Sequence, residues 1–270
     1  MIHRYFIKIS FDGTNYNGWQ VQKNSSQTVQ QKINEALSKV LNEKIQVIGC
    51  CRTDTGVHAK ELYAHFDSQK NLASPFNPLS SRRGEKGKRD VWGEALHKFN
   101  SVMLFDISID GIYPVHKDAN ARFDATARTY QYFIHSKRNP FLVNRSYYYY
   151  GELDIALMNK AAKLLKQCED FSAFSKVHTQ VKTNICNIKL AEWKKDKEDN
   201  LVFTIRADRF LRGMVRMIVG TMMLVGKHKI TLGDFRKIIE SKDCRNAGVS
   251  VPACGLYLTK VDYPKSVFKK

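Results

Sequence analysis

The chain has no long uninterrupted apolar run, and this excludes a membrane-spanning helix. Its most apolar window, residues 210–225, carries Arg212 and Arg216 inside it, and a charge at mid-bilayer costs several kcal/mol. That window reads as a core helix. The segment Met1-Ile2-His3-Arg4-Tyr5-Phe6 goes straight into a strand pattern, without the apolar stretch and small-residue cleavage site of a secretory signal. Neither a lipidation motif nor a strongly basic amphipathic helix with an unbroken apolar face occurs. A cytoplasmic location without a membrane partner is therefore expected. Cysteine is sparse and scattered: six residues, at 50, 51, 168, 186, 244 and 254, form no C-x-x-C pair and have no His or Cys beside them at metal-ligand spacing. Reduced, mostly structural thiols follow, and no metal is expected; His58 and His116 have no convergent ligands either. Acidic residues are also short in supply. Against 44 Lys plus Arg stand 26 Asp plus Glu, a formal net charge of +18 and a pI near 9.6. Such a field attracts polyanions, nucleic acid first.

What is present is enough apolar and aromatic material, 43% and 11% of 270 residues, to bury one large core or two ordinary ones. Two α/β domains fit best. Tyr5, Ile7, Ile9 and Phe11 alternate with more polar neighbours before a turn at Asp12-Gly13-Thr14-Asn15, which predicts a first strand. Thr28-Val29-Gln30-Gln31 is a capping-box pattern, followed by Val29, Ile33, Leu37, Val40 and Leu41 on one helical face. Residues 45–48 and 61–66 read as the next two strands, leaving 50–58 as a loop between them. From Ala125 a strand runs with Arg128, Tyr130, Tyr132 and Ile134 on one face. Asp154 caps a helix with Met158, Ala161, Ala162 and Leu165 as its apolar stripe. Strands follow at 188–193 and 201–207.

A helix beginning near Arg209 is expected to carry Arg209, Arg212 and Arg216 as a basic seam beside Phe210, Met214, Met217, Ile218 and Val225. Thr231-Leu232-Gly233-Asp234 opens a last helix, and residues 255–263 alternate as a closing strand. Residues 80–89, Ser-Ser-Arg-Arg-Gly-Glu-Lys-Gly-Lys-Arg, have no apolar anchor. They read as a mobile basic surface loop rather than a dedicated RNA arm, although their charge would strengthen nearby phosphate contacts. The run Tyr147-Tyr148-Tyr149-Tyr150 fits strand packing, two rings inward and two outward. No clear internal repeat is visible.

On local pattern alone, Asp54 is a turn aspartate beside Gly56. Its context changes that reading. The segment Arg52-Thr53-Asp54-Thr55-Gly56-Val57-His58-Ala59 resembles the catalytic signature of the TruA family of tRNA pseudouridine synthases, and further blocks resemble it in the same order. Before it stand Phe11-Asp12-Gly13-Thr14 and Gly18-Trp19-Gln20. After it come Ala121-Arg122-Phe123-Asp124-Ala125 with Arg128-Thr129-Tyr130-Gln131-Tyr132, then Asp170-Phe171 to Phe174. Phe210-Leu211 with Met214-Val215-Arg216 and Gly255-Leu256-Tyr257-Leu258 complete the set. The similarity runs from about Tyr5 to Tyr263.

The resemblance implies that Asp54 is the catalytic carboxylate, acting at the ribose C1′ or at the base of a target uridine. The C1′ to N1 bond breaks, the uracil rotates and it rejoins through C5, with no external cofactor. A carboxylate suits this because it is both a nucleophile and a stabiliser of positive charge on the sugar. Tyr130 corresponds to the active-site tyrosine expected to stack on the flipped base. Arg216 matches the arginine expected to pair with the catalytic Asp, and Arg52 the one expected to enter the space the uridine vacates. The implied substrate is tRNA, at anticodon stem-loop positions 38, 39 and 40, and the implied assembly a homodimer.

The implied fold is α+β, the pseudouridine synthase fold: two similar α/β halves, residues 1–112 with the Asp loop and 113–270 with the Tyr and Arg. Each half has a mainly antiparallel sheet backed by helices, around a basic RNA-binding cleft. Three positions depart from the family pattern: Cys51 where Gly is usual, Asn120 where His is common and Cys186 where Arg is frequent. They touch RNA contact and loop geometry rather than the chemistry. A non-catalytic tRNA-binding or tRNA-folding protein on the same scaffold is the rival reading, and retention of the Asp, Tyr and Arg set argues against it. An aspartate-dependent RNA hydrolase would need a paired carboxylate motif or a metal cluster, which the sequence does not offer.

Overall fold

In the computed structural model, which describes residues 1–22, 25–72, 91–176 and 182–269, the first alternating segment is strand β1 (His3–Phe11). The predicted helix is α1 (Val29–Leu41), with Thr28 accepting from the Gln31 backbone N–H as its N-cap. Only half of the capping box forms, because the Gln31 side chain donates forward to Glu35 at 2.9 Å. Next come β2 (Ile48–Gly49), β3 (His58–Ser68), α2 (Val91–Ser101) and β4 (Ile107–Pro114). β1 is the middle strand, antiparallel to β3 and to β4, and β2 adds antiparallel to β3. Val29, Ile33, Leu37 and Leu41 on α1 are fully buried, which contributes on the order of 1.5–3 kcal/mol for each side chain.

The chain then supplies β5 (Ala127–His135), β6 (Tyr147–Tyr148), α3 (Ile155–Leu165), β7 (Ile188–Lys195) and β8 (Leu201–Ala207). It continues through α4 (Met214–Gly226), α5 (Leu232–Ser241) and β9 (Leu256–Asp262). β5 lies between β9 and β8, with β7 beyond β8. The β5–β8 and β7–β8 pairs are antiparallel, and β6 joins β5 in parallel. Asp154 caps α3 by accepting from the Leu157 N–H at 2.8 Å, and Met158, Ala161, Ala162 and Leu165 are buried as the spacing predicts. α5 opens with a complete capping box between Thr231 and Asp234. The tyrosine run alternates, with Tyr147 and Tyr149 half-buried and Tyr148 and Tyr150 exposed.

The chain divides into two compact units. One comprises residues 1–126 with 261–270, the other residues 127–260. The mixed α/β, mainly antiparallel character expected from sequence is what each unit has. Among the described residues no helix is long and apolar enough to cross a membrane.

Two expected elements are corrected. Residues 45–47 are not strand: Ile45 N–H donates to Ser38 Oγ (2.9 Å), Val47 N–H to Asn34 Oδ1 (2.8 Å), and Val47 C=O accepts from Gln30 Nε2 (2.7 Å). Polar side chains of α1 satisfy this backbone in place of a sheet neighbour. The basic seam on α4 does not exist as such either, because the helix begins at Met214, after Gly213 in the left-handed region at φ 74°. Arg209 and Arg212 therefore precede the helix, and only Arg216 lies on it. The expected basic loop at 80–89 lies outside the described residues.

Candidate active site

Asp54 sits in the connection between β2 and β3, a loop held at each end by backbone hydrogen bonds. Cys50 N–H donates to Tyr63 C=O at 2.7 Å, Trp19 N–H to Thr53 C=O at 3.2 Å, and Gly56 N–H to Tyr16 C=O at 3.3 Å. Val57 N–H closes a tight turn onto Asp54 C=O at 3.2 Å, with Gly56 at φ 76°. The positive φ is the reason for a glycine at 56.

A second segment, the 12–20 turn after β1, forms the floor of this loop. A Cβ on Gly13 would fall 2.0 Å from Val57 O, and one on Gly18, at φ 83°, 2.4 Å from Thr53 O. The two backbones touch without side chains between them, so the 12–20 turn and the Asp54 loop pack directly on each other. His58 ties the same segments together: its Nδ1 accepts from Gly13 N–H at 3.0 Å and lies 3.1 Å from Asp12 Oδ1. Trp19, buried, lies across Gly49, where a Cβ would meet the indole at 2.6 Å. In this frame Thr53 is buried, Asp54 half-buried and Arg52 exposed. The exposed Arg52 guanidinium can pair with a phosphate, while the partly covered Asp54 carboxylate beside it stays open to a reacting group.

Tyr130 and Arg216 belong to the other unit. Tyr130 projects from the buried face of β5, 7% exposed, with its ring edge-to-face on Phe210 (centroids 5.2 Å, 86°). Arg128, two residues earlier on that face, donates from Nη1 to Asp208 C=O at 2.7 Å. Arg216 stands on the first turn of α4, half-buried. Its Nε donates to Val251 C=O at 2.7 Å, and Val251 N–H donates back to Arg216 C=O at 3.3 Å. That is a positioned guanidinium rather than a side chain snorkelling at a core edge.

The strap that holds Arg216, residues 248–252, rests on small residues of α4. Thr221 Oγ1 accepts from Gly248 N–H (2.9 Å) and donates to Met217 C=O (2.8 Å), while a Cβ on Gly220 would fall 2.0 Å from Val249 O. Tyr132 O–H, on β5, donates to Pro252 C=O at 2.8 Å. Burial pushes the Tyr132 hydroxyl well above the usual tyrosine range, and the Arg216 charge draws it back only in part. Tyr132 is thus a neutral hydrogen-bond donor that ties β5 to the strap.

Of the three departures, Cys186 is fully buried, and burial pushes its thiol up to about 12, so it is a packing residue. Asn120 shapes the 120–124 turn, its Oδ1 accepting from the N–H groups of Arg122 (2.9 Å) and Phe123 (3.3 Å). Cys51 lies against Cys50, with 3.7 Å between the sulfurs.

Comparison with known proteins agrees with this picture. A family model described as tRNA pseudouridine synthase matches residues 161–264. The tRNA pseudouridine synthase A of Bacteroides thetaiotaomicron is 47% identical over 273 aligned residues, covering 100% of this chain and 94% of the relative. That of Bacteroides fragilis is 46% identical, covering 99% of both. The chain belongs to the tRNA pseudouridine synthase family. The likeness extends beyond near relatives, since the tRNA pseudouridine synthase A of Clostridium acetobutylicum is 38% identical over 95% of this chain and 98% of its own.

Within this family fold, the sequence missed the two supports that the structure adds. One is the Gly13 and Gly18 floor, the other the 248–252 strap on Gly220 and Thr221. The glycines were visible as letters, but their partners are distant in sequence, and a close backbone approach leaves no local pattern.

Proposed function

We propose that this protein isomerises uridine to pseudouridine in the anticodon stem-loop of tRNA, at positions 38, 39 and 40, with Asp54 as the catalytic carboxylate. The full-length identity with enzymes named tRNA pseudouridine synthase A carries the reading, and the built floor beneath the Asp54 loop supports it. The conversion is an isomerisation: the C1′–N1 bond breaks, a C1′–C5 bond forms, C5 gives up its proton and N1 gains one. Atoms and electrons balance, so no external cofactor enters the scheme. Asp54 opens the glycosidic bond and stabilises positive charge on the sugar. Tyr130 supplies the ring on which the extruded base stacks, and Arg216 the cation that supports the reaction. Arg52, exposed on the Asp54 loop, fills the gap left in the RNA stack, where base extrusion costs a few kcal/mol.

The net charge of +18 supports binding to the phosphate backbone, with affinity that falls as salt rises. The working unit in this reading is a cytoplasmic homodimer, which sedimentation of the purified chain tests directly.

Unmodified tRNA transcript incubated with the purified chain, followed by carbodiimide labelling and primer extension, maps any pseudouridine formed. Wild type is expected to mark anticodon stem-loop uridines, and Asp54→Asn to bind tRNA without marking it. Equal product from both proteins would remove Asp54 from the chemistry. Tight binding without product from either would make the chain a tRNA-binding protein on this scaffold.

A further inference from the structure

Beside the catalytic loop lie two adjacent thiols that the isomerisation does not use. Cys50 is buried, at 1% exposure, and its backbone is fixed: its N–H donates to Tyr63 C=O, and the preceding Gly49 is pressed under the Trp19 ring. Cys51 is half-buried and is the first residue of the segment that leads through Arg52 and Thr53 to Asp54. The two sulfurs are already in contact at 3.7 Å. One thiol is therefore anchored to the sheet and the other to the working loop.

We propose that Cys50 and Cys51 form a peroxide-sensitive dithiol, whose closure to a vicinal disulfide pulls the Asp54 loop out of its working shape. The chemistry balances with hydrogen peroxide as oxidant. The more accessible Cys51 thiolate attacks the peroxide, leaving a sulfenic acid and hydroxide. The Cys50 sulfur then displaces the sulfenic oxygen, which leaves as water, so two thiols and one peroxide give one disulfide and two waters.

Closing the bond shortens the sulfur separation to about 2.05 Å. Adjacent Cα atoms are only about 3.8 Å apart, inside the usual span of about 4.4–6.8 Å for bridged cysteines, so this disulfide stores strain. Strained bridges have more oxidising potentials and are readily reduced, which suits a reversible switch. Cys50 cannot yield without breaking its tie to β3, so the adjustment falls on Cys51 and the residues after it. Among these, Thr53 C=O accepts from Trp19 N–H and Asp54 C=O from Val57 N–H, so a shift of Cys51 is passed to the backbone that carries Asp54. The effect on catalysis rests on the assignment of Asp54 above, whereas formation of the disulfide does not.

The test treats the full chain with hydrogen peroxide, alkylates remaining thiols with iodoacetamide, and reads the peptide containing both cysteines by mass spectrometry beside the tRNA assay. The expected peptide has lost two hydrogens and carries no alkyl group on either sulfur. Pseudouridine formation should fall about 100-fold, the scale at which a 1 Å misplacement acts, and return with dithiothreitol. Cys51→Gly, which cannot close the bridge, should keep its activity through the same treatment. An alkylated or sulfinic Cys51 without the bridge overturns the proposal. So does a formed bridge with undiminished activity, or equal inactivation of Cys51→Gly. If the untreated chain makes no pseudouridine, the Asp54 assignment fails, and the peptide mass still decides whether the dithiol closes.

Discussion

A methyl group placed on Gly18 would fall 2.4 Å from the carbonyl oxygen of Thr53, the residue before Asp54. Gly18 also has φ 83°, a region that costs an L-residue about 1–2 kcal/mol. Gly18→Ala is therefore expected to destabilise the fold by at least that amount, since the clash adds to the backbone term. Its effect on pseudouridine formation should be larger, about 100-fold, because the displaced atoms belong to the loop of Asp54, the proposed catalytic carboxylate. Urea unfolding and the tRNA assay on the same preparation separate the two. Activity unchanged in a folded Gly18→Ala protein would show that the loop has slack the packing does not reveal.

Acid should weaken the fold from near neutrality downward. His65 is buried, with Nδ1 accepting from Ala121 N–H at 3.1 Å. Burial, aided by the Arg4 charge and opposed by Asp67 and Asp124, lowers its pKa from the ordinary 6.5. Burial lowers that of His135 as well. Between the unfolded and the lowered folded value, the unfolded chain binds more protons, so stability rises with pH across that window. The contribution is whole above 6.5, declines as pH drops through the window, and is lost below the folded value. Asp67 adds a second, more acidic decline: its hydrogen bond to Arg4 lowers its pKa, and stability goes as it protonates. His65→Asn, which keeps an acceptor in place of Nδ1, should flatten the upper part of a urea-midpoint profile against pH. A profile as steep as wild type there would remove His65 as a cause.

Arg216 should not tolerate lysine. A lysine keeps the charge and lacks Nε, so Val251 C=O, on a residue only 7% exposed, loses its side-chain donor. An unsatisfied buried acceptor costs about 1–3 kcal/mol, and a flexible ammonium does not reproduce a fixed planar fork. Arg216→Lys is expected to lose thermal stability and to lose more in kcat than in tRNA affinity. Wild-type turnover in this variant would reduce Arg216 to a point charge.

How much of this was legible beforehand depends on how local each cause is. The apolar faces of α1 and α3 could be read because the spacing of Ile33 and Leu37, or of Met158 and Ala162, is itself the reason those helices bury one side. β4 escaped notice because its alternation is broken: Ile9 pairs with Ile109 but Lys8 with Gly111, so Asp110 is an extra residue that shifts the period. α2 follows the basic stretch and contains Gly93, a poor helix former, which masks a start signal at Asp90 and the helical spacing of Trp92, Ala95, Leu96 and Phe99. The sequence places the beginning of α4 too early because Phe210 continues the helical apolar spacing of Met214 and Met217 backwards, and only the backbone of Gly213 marks the boundary. Asp54 could be singled out by its resemblance to a family signature. Its floor could not, since Gly13 and Gly18 act through carbonyl groups some forty residues away in the chain.

Thr221 offers the sharpest test of the strap that holds Arg216. Its hydroxyl is fully buried on α4, accepts from Gly248 N–H at 2.9 Å and donates to Met217 C=O at 2.8 Å. Thr221→Val has nearly the same shape and no hydroxyl, so it leaves Gly248 N–H without this acceptor in a site that admits little rearrangement. Gly248 itself packs with a virtual Cβ 2.9 Å from the Thr221 backbone. The cost should be about 1–3 kcal/mol, read as a lower urea midpoint at unchanged slope. Because the strap also contains Val251, its loosening should reach the Arg216 guanidinium, so turnover should fall beyond what the unfolded fraction explains. Thr221→Ser keeps the hydroxyl and should restore both. If Thr221→Val loses stability but each folded molecule turns over as wild type does, the strap serves only the fold, and Arg216 is positioned by its own helix.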